Sequence, residues 1–539
     1  MDSKDVIRLQ RADYPEQVGI SSKTISELLR DFKENDVEVH SLMILREGKV
    51  AYETWAAPYA PEYPHMMYSV SKSFTSTAVG FAIDEGLMTL ETRLIDIFPE
   101  YKPKSKDENL EKLNVHHLLS MQSGKNVSVF SDKAKNHWIK DFFDASWKFT
   151  PGDGHWQYIS ENQYMLCAML TRITGMSVVE YLTPRLFEPL GIDVPFWEHD
   201  IDGIEAGGWG LYLKTEDLAK FMLCYQQKGK FNGKQVIPEK WTKLAQKVHA
   251  NNSPFIKVID SQCGYGYCFW RCGGINGYRA DGMFSQFGII SNDDDIIFVI
   301  TAGEINEQKT RDFIWRHFNK LIIENDGEPT PDVKPELAAL DDDLEAAERS
   351  PIEKEIEGRT IYLQRNLVLN AAGFPLGMLP IPIVYMSGDR AGNMDNVVLN
   401  FNDDNCTMTW DEGDEHNTII CGMDGKARTS PITLAGMSFT AFSTAAWIDE
   451  KTLEIHMRPV GGVCMRIIKL SFNGNLVKLY PSSQMTMTDM AENLALDVDT
   501  FFPPILHRFG LVAFDQLPGI IDAPIHGRLE NVKPADQES

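Results

Sequence analysis

Ser69-Val70-Ser71-Lys72 opens a run of apolar and small residues that continues to about Gly86. A serine and a lysine three positions apart lie on one face of a helix, one turn from each other. A helix that begins there also aims unpaired backbone N–H groups, and the positive end of its dipole, at the hydroxyl. Such a stretch supplies a nucleophile, a neighbouring base and half of an oxyanion hole, the parts that acyl transfer needs. A second candidate is Tyr158, in Trp156-Gln157-Tyr158-Ile159-Ser160-Glu161-Asn162, just ahead of the apolar helical run 164–170. A phenol beside a protonated lysine has its oxyanion favoured and can shuttle the serine proton. Taken alone, it reads rather as a packed tyrosine at a helix entrance. The third is Tyr278-Arg279-Ala280-Asp281-Gly282-Met283, at the start of a strand. Gly282 lets a substrate carbonyl approach the strand edge, and the N–H of Met283 can complete the oxyanion hole.

These groups must be held by folded elements. Residues 41–52 read as a hairpin turning at Glu47-Gly48, and helical patterns dominate from Ser69 to about Phe221. The run 115–124 is apolar at helical spacing and ends at Gly124, and Thr215 with Glu216 and Asp217 marks a further helix start. Strand patterns return at 266–271, 286–290 and 296–301. Strands on either side of a helical middle predict one α+β domain over 1–323. An acidic, proline-bearing linker with room for one short helix follows over 324–358. Beyond it the periodicity is two, at 397–401, 407–410, 453–457, 465–472 and 476–480, with Asn473-Gly474 as a hairpin turn. Residues 359–539 are therefore expected to form an all-β barrel or sandwich.

Bulk properties exclude several classes. The chain has 539 residues and a formal net charge of −25, from 77 acidic against 52 basic residues. That balance repels phosphate backbones and anionic surfaces, so neither nucleic acid nor membrane is expected as a partner. Residues 371–386 form the longest apolar stretch, but Pro375, Pro380 and Pro382 interrupt it. It is also shorter than the roughly 20 residues of a span, so a buried connection or an interface is expected there. The first nineteen residues lack the apolar core of a secretory signal, and eight scattered cysteines read as reduced, mostly buried thiols. A cytoplasmic location is the expectation. Cys263, Cys268 and Cys272 lack C-x-x-C spacing, so no metal is expected, nor any cofactor. No G-x-S-x-G occurs, and His65, His116 and His117 read as helix-surface or core residues rather than bases.

The three chemical segments, in this order, resemble the penicillin-recognising serine hydrolases: class C β-lactamases, D-alanyl-D-alanine peptidases and related esterases and amidases. The S-x-x-K element is similar to Ser69–Lys72, the Y-x-N element to Tyr158-Ile159-Ser160 and the K-T-G element to Ala280-Asp281-Gly282. Leu118–Gly124 and Gly207–Phe221 add matches, the latter resembling the branch that contains 6-aminohexanoate-dimer hydrolases. The resemblance spans about residues 15–320. It implies an antiparallel sheet with helices on both faces and a helical subdomain, and a lipocalin-like β appendage that shapes the cleft or mediates assembly, including a homo-oligomer. It also implies that Ser160, standing where asparagine is usual, meets the substrate amide. Ala280 stands where relatives carry a lysine or histidine for a substrate carboxylate, and strand alternation sends Arg279 to the opposite face.

The expected chemistry is two-step acyl transfer on a small ester, amide or short peptide. Ser69 attacks, Lys72 and Tyr158 relay its proton to the leaving group, and the N–H groups of Ser69 and Met283 hold the oxyanion. Burial beneath a substrate would lower the lysine pKa as a base requires. Two alternatives stand beside this: a β-lactamase or penicillin-binding D-alanyl peptidase, and a non-catalytic binding protein with a degraded site.

Overall fold

The computed structural model describes residues 7–103, 106–126, 138–323, 328–330, 333–365, 377–378, 393–485, 489 and 524–530. These fall into two compact units, Met1–Leu340 and a second from Asp341 onward. Apart from Gly377 and Met378, the apolar stretch 371–386 lies outside the described residues.

The first unit is built on one antiparallel sheet. Its strands are β1 (Val39–Arg46), β2 (Lys49–Trp55), β3 (Trp270–Arg271), β4 (Gly277–Gly282), β5 (Gln286–Ser291) and β6 (Ile296–Ala302). They lie in the order β2-β1-β6-β5-β4-β3. β6 is buried along its whole length. That explains its unbroken apolar sequence, since a sheet covered on both faces has no polar side to alternate with. One face packs Leu42, Ile44, Phe287, Ile289, Phe298 and Ile300 against two amphipathic helices, α1 (Ser22–Glu34) and α5 (Glu307–Leu321). On the other face lie α2 (Ser71–Asp84) and α4 (Thr215–Gln226), with Gly288 leaving room for Met222 of α4. α3 (Glu161–Thr174) belongs to the helical segment inserted between β2 and β3.

Helix α2 is buried on nearly every side, yet it is not simply apolar. Ser73 donates to the Cys268 carbonyl (2.7 Å), Thr75 to that of Gly207 (2.8 Å) and Ser76 to that of Tyr267 (2.8 Å). A buried hydroxyl is tolerated only when its hydrogen bond is made, so these residues both sink the helix and stitch it to two loops. Two expected elements are shorter than their sequence pattern suggests. The helix at 115 ends at Leu119 rather than continuing to Gly124, because Met121 turns left-handed (φ 62°). Of 266–271, only Trp270–Arg271 is strand, the left-handed Cys268 (φ 64°) bending the chain before it.

The second unit is a closed β-barrel. Its strands are β7 (Thr360–Leu363), β8 (Met394–Phe401), β9 (Asn405–Glu412), β10 (Glu415–Gly422), β11 (Arg428–Leu434), β12 (Met437–Asp449), β13 (Thr452–Val460), β14 (Arg466–Asn473), β15 (Leu476–Ser483) and β16 (Ile525–Leu529). The order is β10-β9-β8-β7-β16-β15-β14-β13-β12-β11, and β10 returns to pair with β12 at Gly422 and Thr444. Inward residues alternate with outward ones; along β9, Cys406, Met408, Trp410 and Glu412 are buried. Among the described residues no single helix is long and apolar enough to cross a membrane.

Candidate active site

Ser69 lies on a single 3₁₀ turn, Tyr68–Val70, that runs directly into α2. The residue before it, Tyr68, is left-handed (φ 44°), a strained conformation for a bulky side chain. Its surroundings hold it there. Met67 N–H donates to the Leu211 carbonyl (2.8 Å), Ser71 Oγ donates to the Tyr68 carbonyl (2.6 Å), and the Tyr68 ring packs on Phe284 at 5.0 Å. The result presents Ser69 half-exposed while Tyr68 and Val70 on either side are buried.

Lys72, one turn on, is buried, and its Nζ donates to Ser69 Oγ (2.6 Å) and to the Gly208 carbonyl (2.7 Å). Gly208 must be glycine, because a Cβ there would fall 2.6 Å from the Ser160 carbonyl oxygen. Tyr158 comes in from the loop before α3. Its hydroxyl lies beside the Ser69 side chain, and its ring centre lies 4.7 Å from Lys72 Nζ. Trp270 and Trp156 wall the ring, at 5.3 and 6.0 Å. Burial in that aromatic setting raises the phenol above its usual pKa, so the resting group is protonated.

The end of β4 closes the other side. A Cβ on Gly282 would lie 2.4 Å from the Met67 carbonyl oxygen and 3.3 Å from Ser69 N, so only glycine lets this strand meet the Ser69 backbone. Met283 follows at once, half-buried, in a turn where Phe284 (φ 62°) and Ser285 (φ 68°) are both left-handed. Gln286 fixes that turn, its amide donating to the carbonyls of Met283 (3.2 Å), Phe284 (3.0 Å) and Ala302 (2.7 Å).

Of the sequence-predicted residues, Ser69, Lys72 and Tyr158 converge, and Gly282 with Met283 borders them. Ser160 is buried against Gly208, the residue whose carbonyl accepts from Lys72 Nζ. Ala280 shares the face of Gly282, whereas Arg279 lies on the opposite face. There its guanidinium is held by Asp281 (2.6 Å) and Asp260 (3.0 Å), with Arg311 joining the same carboxylates. Sequence reasoning did not single out Gly208, Gln286 or Tyr68; the glycine-rich Gly207–Gly210 run was the one signal available for the first. His65 is engaged with His40 (2.8 Å) and the Met66 carbonyl (2.9 Å), and His116 with the Tyr267 hydroxyl (2.7 Å). Among the described residues no three His, Cys, Asp or Glu side chains are grouped to hold a metal ion.

The family model described as Beta-lactamase matches residues 25–312. Over 221 residues, 37% of this chain, the sequence is 26% identical to a 6-aminohexanoate-dimer hydrolase of Paenarthrobacter ureafaciens, covering 55% of that protein. The chain thus spans about half the length of this relative. It is 23% identical over 303 residues to penicillin-binding protein 4 of Amycolatopsis lactamdurans, covering 49% of this chain and 78% of that one. A solved penicillin-binding protein homolog from Caulobacter crescentus aligns over 57% of this chain and 98% of its own, with 13% identity and a TM-score of 0.46.

Proposed function

This chain belongs to the β-lactamase family, and from that premise we propose that it is a serine hydrolase that cleaves a small ester or amide through an acyl-enzyme on Ser69. The observation that carries the reading is the convergence of three groups at one solvent-reachable point: Lys72 Nζ 2.6 Å from Ser69 Oγ and 4.7 Å from the Tyr158 ring centre, with the phenol beside the same serine. Ser69 Oγ attacks the carbonyl carbon as its proton passes to the neutral amine of Lys72. Tyr158, protonated at rest, gives its proton to the leaving group and regains one from Lys72. The N–H groups of Ser69 and Met283 receive the developing oxyanion, a role supported by the close approach of Gly282 to Ser69 N. Water then repeats the sequence in reverse to free the acid. Ser69→Ala should lower turnover of p-nitrophenyl butyrate by at least about a thousandfold, and a fluorophosphonate probe should label Ser69. A protein that turns over the ester unchanged after that substitution, or refuses the probe, is not this enzyme; the second result favours a binding protein.

A penicillin-directed activity is the second reading, favoured by the likeness to a penicillin-binding protein. Against it, the face that meets Ser69 carries Ala280, and the nearby guanidinium of Arg279 is already spent on Asp260 and Asp281. Intact-mass detection of a penicillin adduct on Ser69 would establish it.

A further inference from the structure

Cys406 on β9 and Cys421 on β10 are register partners, directly opposite each other across the antiparallel pair. Both point into the barrel and are fully buried. Opposed residues in such a pair have Cα atoms about 4.5–5.5 Å apart, inside the range of roughly 4.4–6.8 Å that a disulfide spans. Burial, with the Cys406 thiol beside it, pushes the Cys421 thiol well above its usual range. The backbone around them is already pinned: Arg428 reaches Asp404 before β9 (3.0 Å), and Asp424 (3.0 Å) and the Lys426 carbonyl (2.6 Å) after β10. The pair also lies just beneath one end of the barrel, two residues from exposed Asp404 and three from exposed Asp424.

We infer that Cys406 and Cys421 form an oxidation site, which a peroxide converts into a cross-strand disulfide and a thiol reductant restores. In the first step the Cys406 sulfur attacks the O–O bond of a hydroperoxide, giving a sulfenic acid at Cys406 and releasing the corresponding alcohol or water. The Cys421 sulfur then attacks that sulfur; the S–S bond forms, the S–O bond breaks, and the hydroxyl leaves as water with the Cys421 proton. Two thiols lose two electrons and the peroxide takes both. Cys406 reacts first because it stands two residues from exposed Asp404 and Cys421 three from exposed Asp424; the overall stoichiometry is the same in either order. The disulfide links β9 to β10 beside Gly422, where β10 pairs with β12 to close the barrel.

The test uses the full chain under native conditions. Hydrogen peroxide is added until the exposed Cys263 is fully oxidised, and remaining thiols are then alkylated after unfolding. No lysine or arginine lies between the two cysteines, so the chain is cut after Glu412 and Glu415 with a glutamyl endopeptidase. The expected product is one species joining the Cys406 and Cys421 peptides, about 2 Da lighter than their sum and split by dithiothreitol. In Cys421→Ser the intermediate should persist and Cys406 should take a dimedone probe. Recovery of both wild-type cysteines in alkylated form, or as separate sulfinic acids, overturns the inference; dimedone failing to label Cys406 in the variant overturns the order of attack.

Discussion

Gly282 and Tyr68 are the residues on which placement of Ser69 turns. A glycine is needed where β4 passes the Met67 carbonyl, since the added carbon of alanine would stand 2.4 Å from that oxygen. That oxygen is backbone, not the far end of a flexible side chain, so the strand end or the turn carrying Ser69 must move. A shift of about 1 Å between reacting groups costs on the order of a hundredfold in rate. Gly282→Ala is therefore expected to lower kcat/KM for p-nitrophenyl butyrate by about that factor, with far-UV circular dichroism unchanged; full activity would remove β4 from the site. Ser69 and Lys72 were legible in the sequence because their relation is local, fixed by helix geometry alone. Tyr158 was legible only as a candidate, because 86 positions separate it from Lys72. The left-handed Tyr68 left no signal, as nothing in a tyrosine codon advertises strain imposed by Leu211 and Phe284.

At the level of elements, the short helix Val115–Leu119 carries a consequence for acid stability. Asn114 N–H donates to His117 Nδ1 (3.4 Å), which requires that nitrogen to be unprotonated. Burial pushes His117 from 6.5 down to about 4, and it lowers His116 and His249 beside it as well. Unfolded, the same histidines take protons near 6.5, so below that value the unfolded chain binds more protons than the native one. Their burial thus costs nothing above pH 6.5 and increasingly destabilises the first unit as pH falls through 6.5 towards 4. Urea midpoints of the first unit should fall between pH 7.5 and 5, and His117→Gln should flatten that slope; an identical slope in the variant would exclude His117. The sequence pattern marked this helix but overran it. Apolar spacing continues to Met121, whereas the left-handed turn at Met121 is set by contacts from the 156–162 segment, such as the Ile159 N–H and Asn162 amide on its sulfur.

For the whole molecule, the barrel has the opposite pH trend. Glu412 points inward, bonded by the Met378 N–H (2.9 Å) and the Trp410 indole (3.1 Å), and burial raises it to about 7. Between 4.5 and 7 the native barrel keeps a proton that the unfolded chain has released, so this contribution is full below 4.5 and is lost as pH rises through 7. Glu412→Gln should raise the unfolding free energy of the barrel at pH 8, read from urea titration, by up to about 3 kcal/mol, with little change near pH 4. A variant less stable than the parent at pH 8 would show that the carboxylate is held by more than these two donors. The barrel's strands were partly legible. Period-two runs such as 453–457 announced themselves, while β12, buried over Thr444–Trp447 on consecutive residues, lost its alternation where it meets the closing seam.

Sequence alone determined which chemistry was on offer, because a serine and a lysine one turn apart, a tyrosine at a helix entrance and a glycine at a strand end are local statements. It also determined the division into a mixed unit and a β unit, because hydrophobic period is local too. Tertiary structure decided the rest: that the three groups touch at a half-exposed serine, that Gly208 and Gln286 serve as their supports, that Arg279 is turned away into carboxylates, and that Cys406 faces Cys421. Each of those is a long-range packing outcome, fixed by which chain segments exclude water from one another, and no short window of residues encodes it.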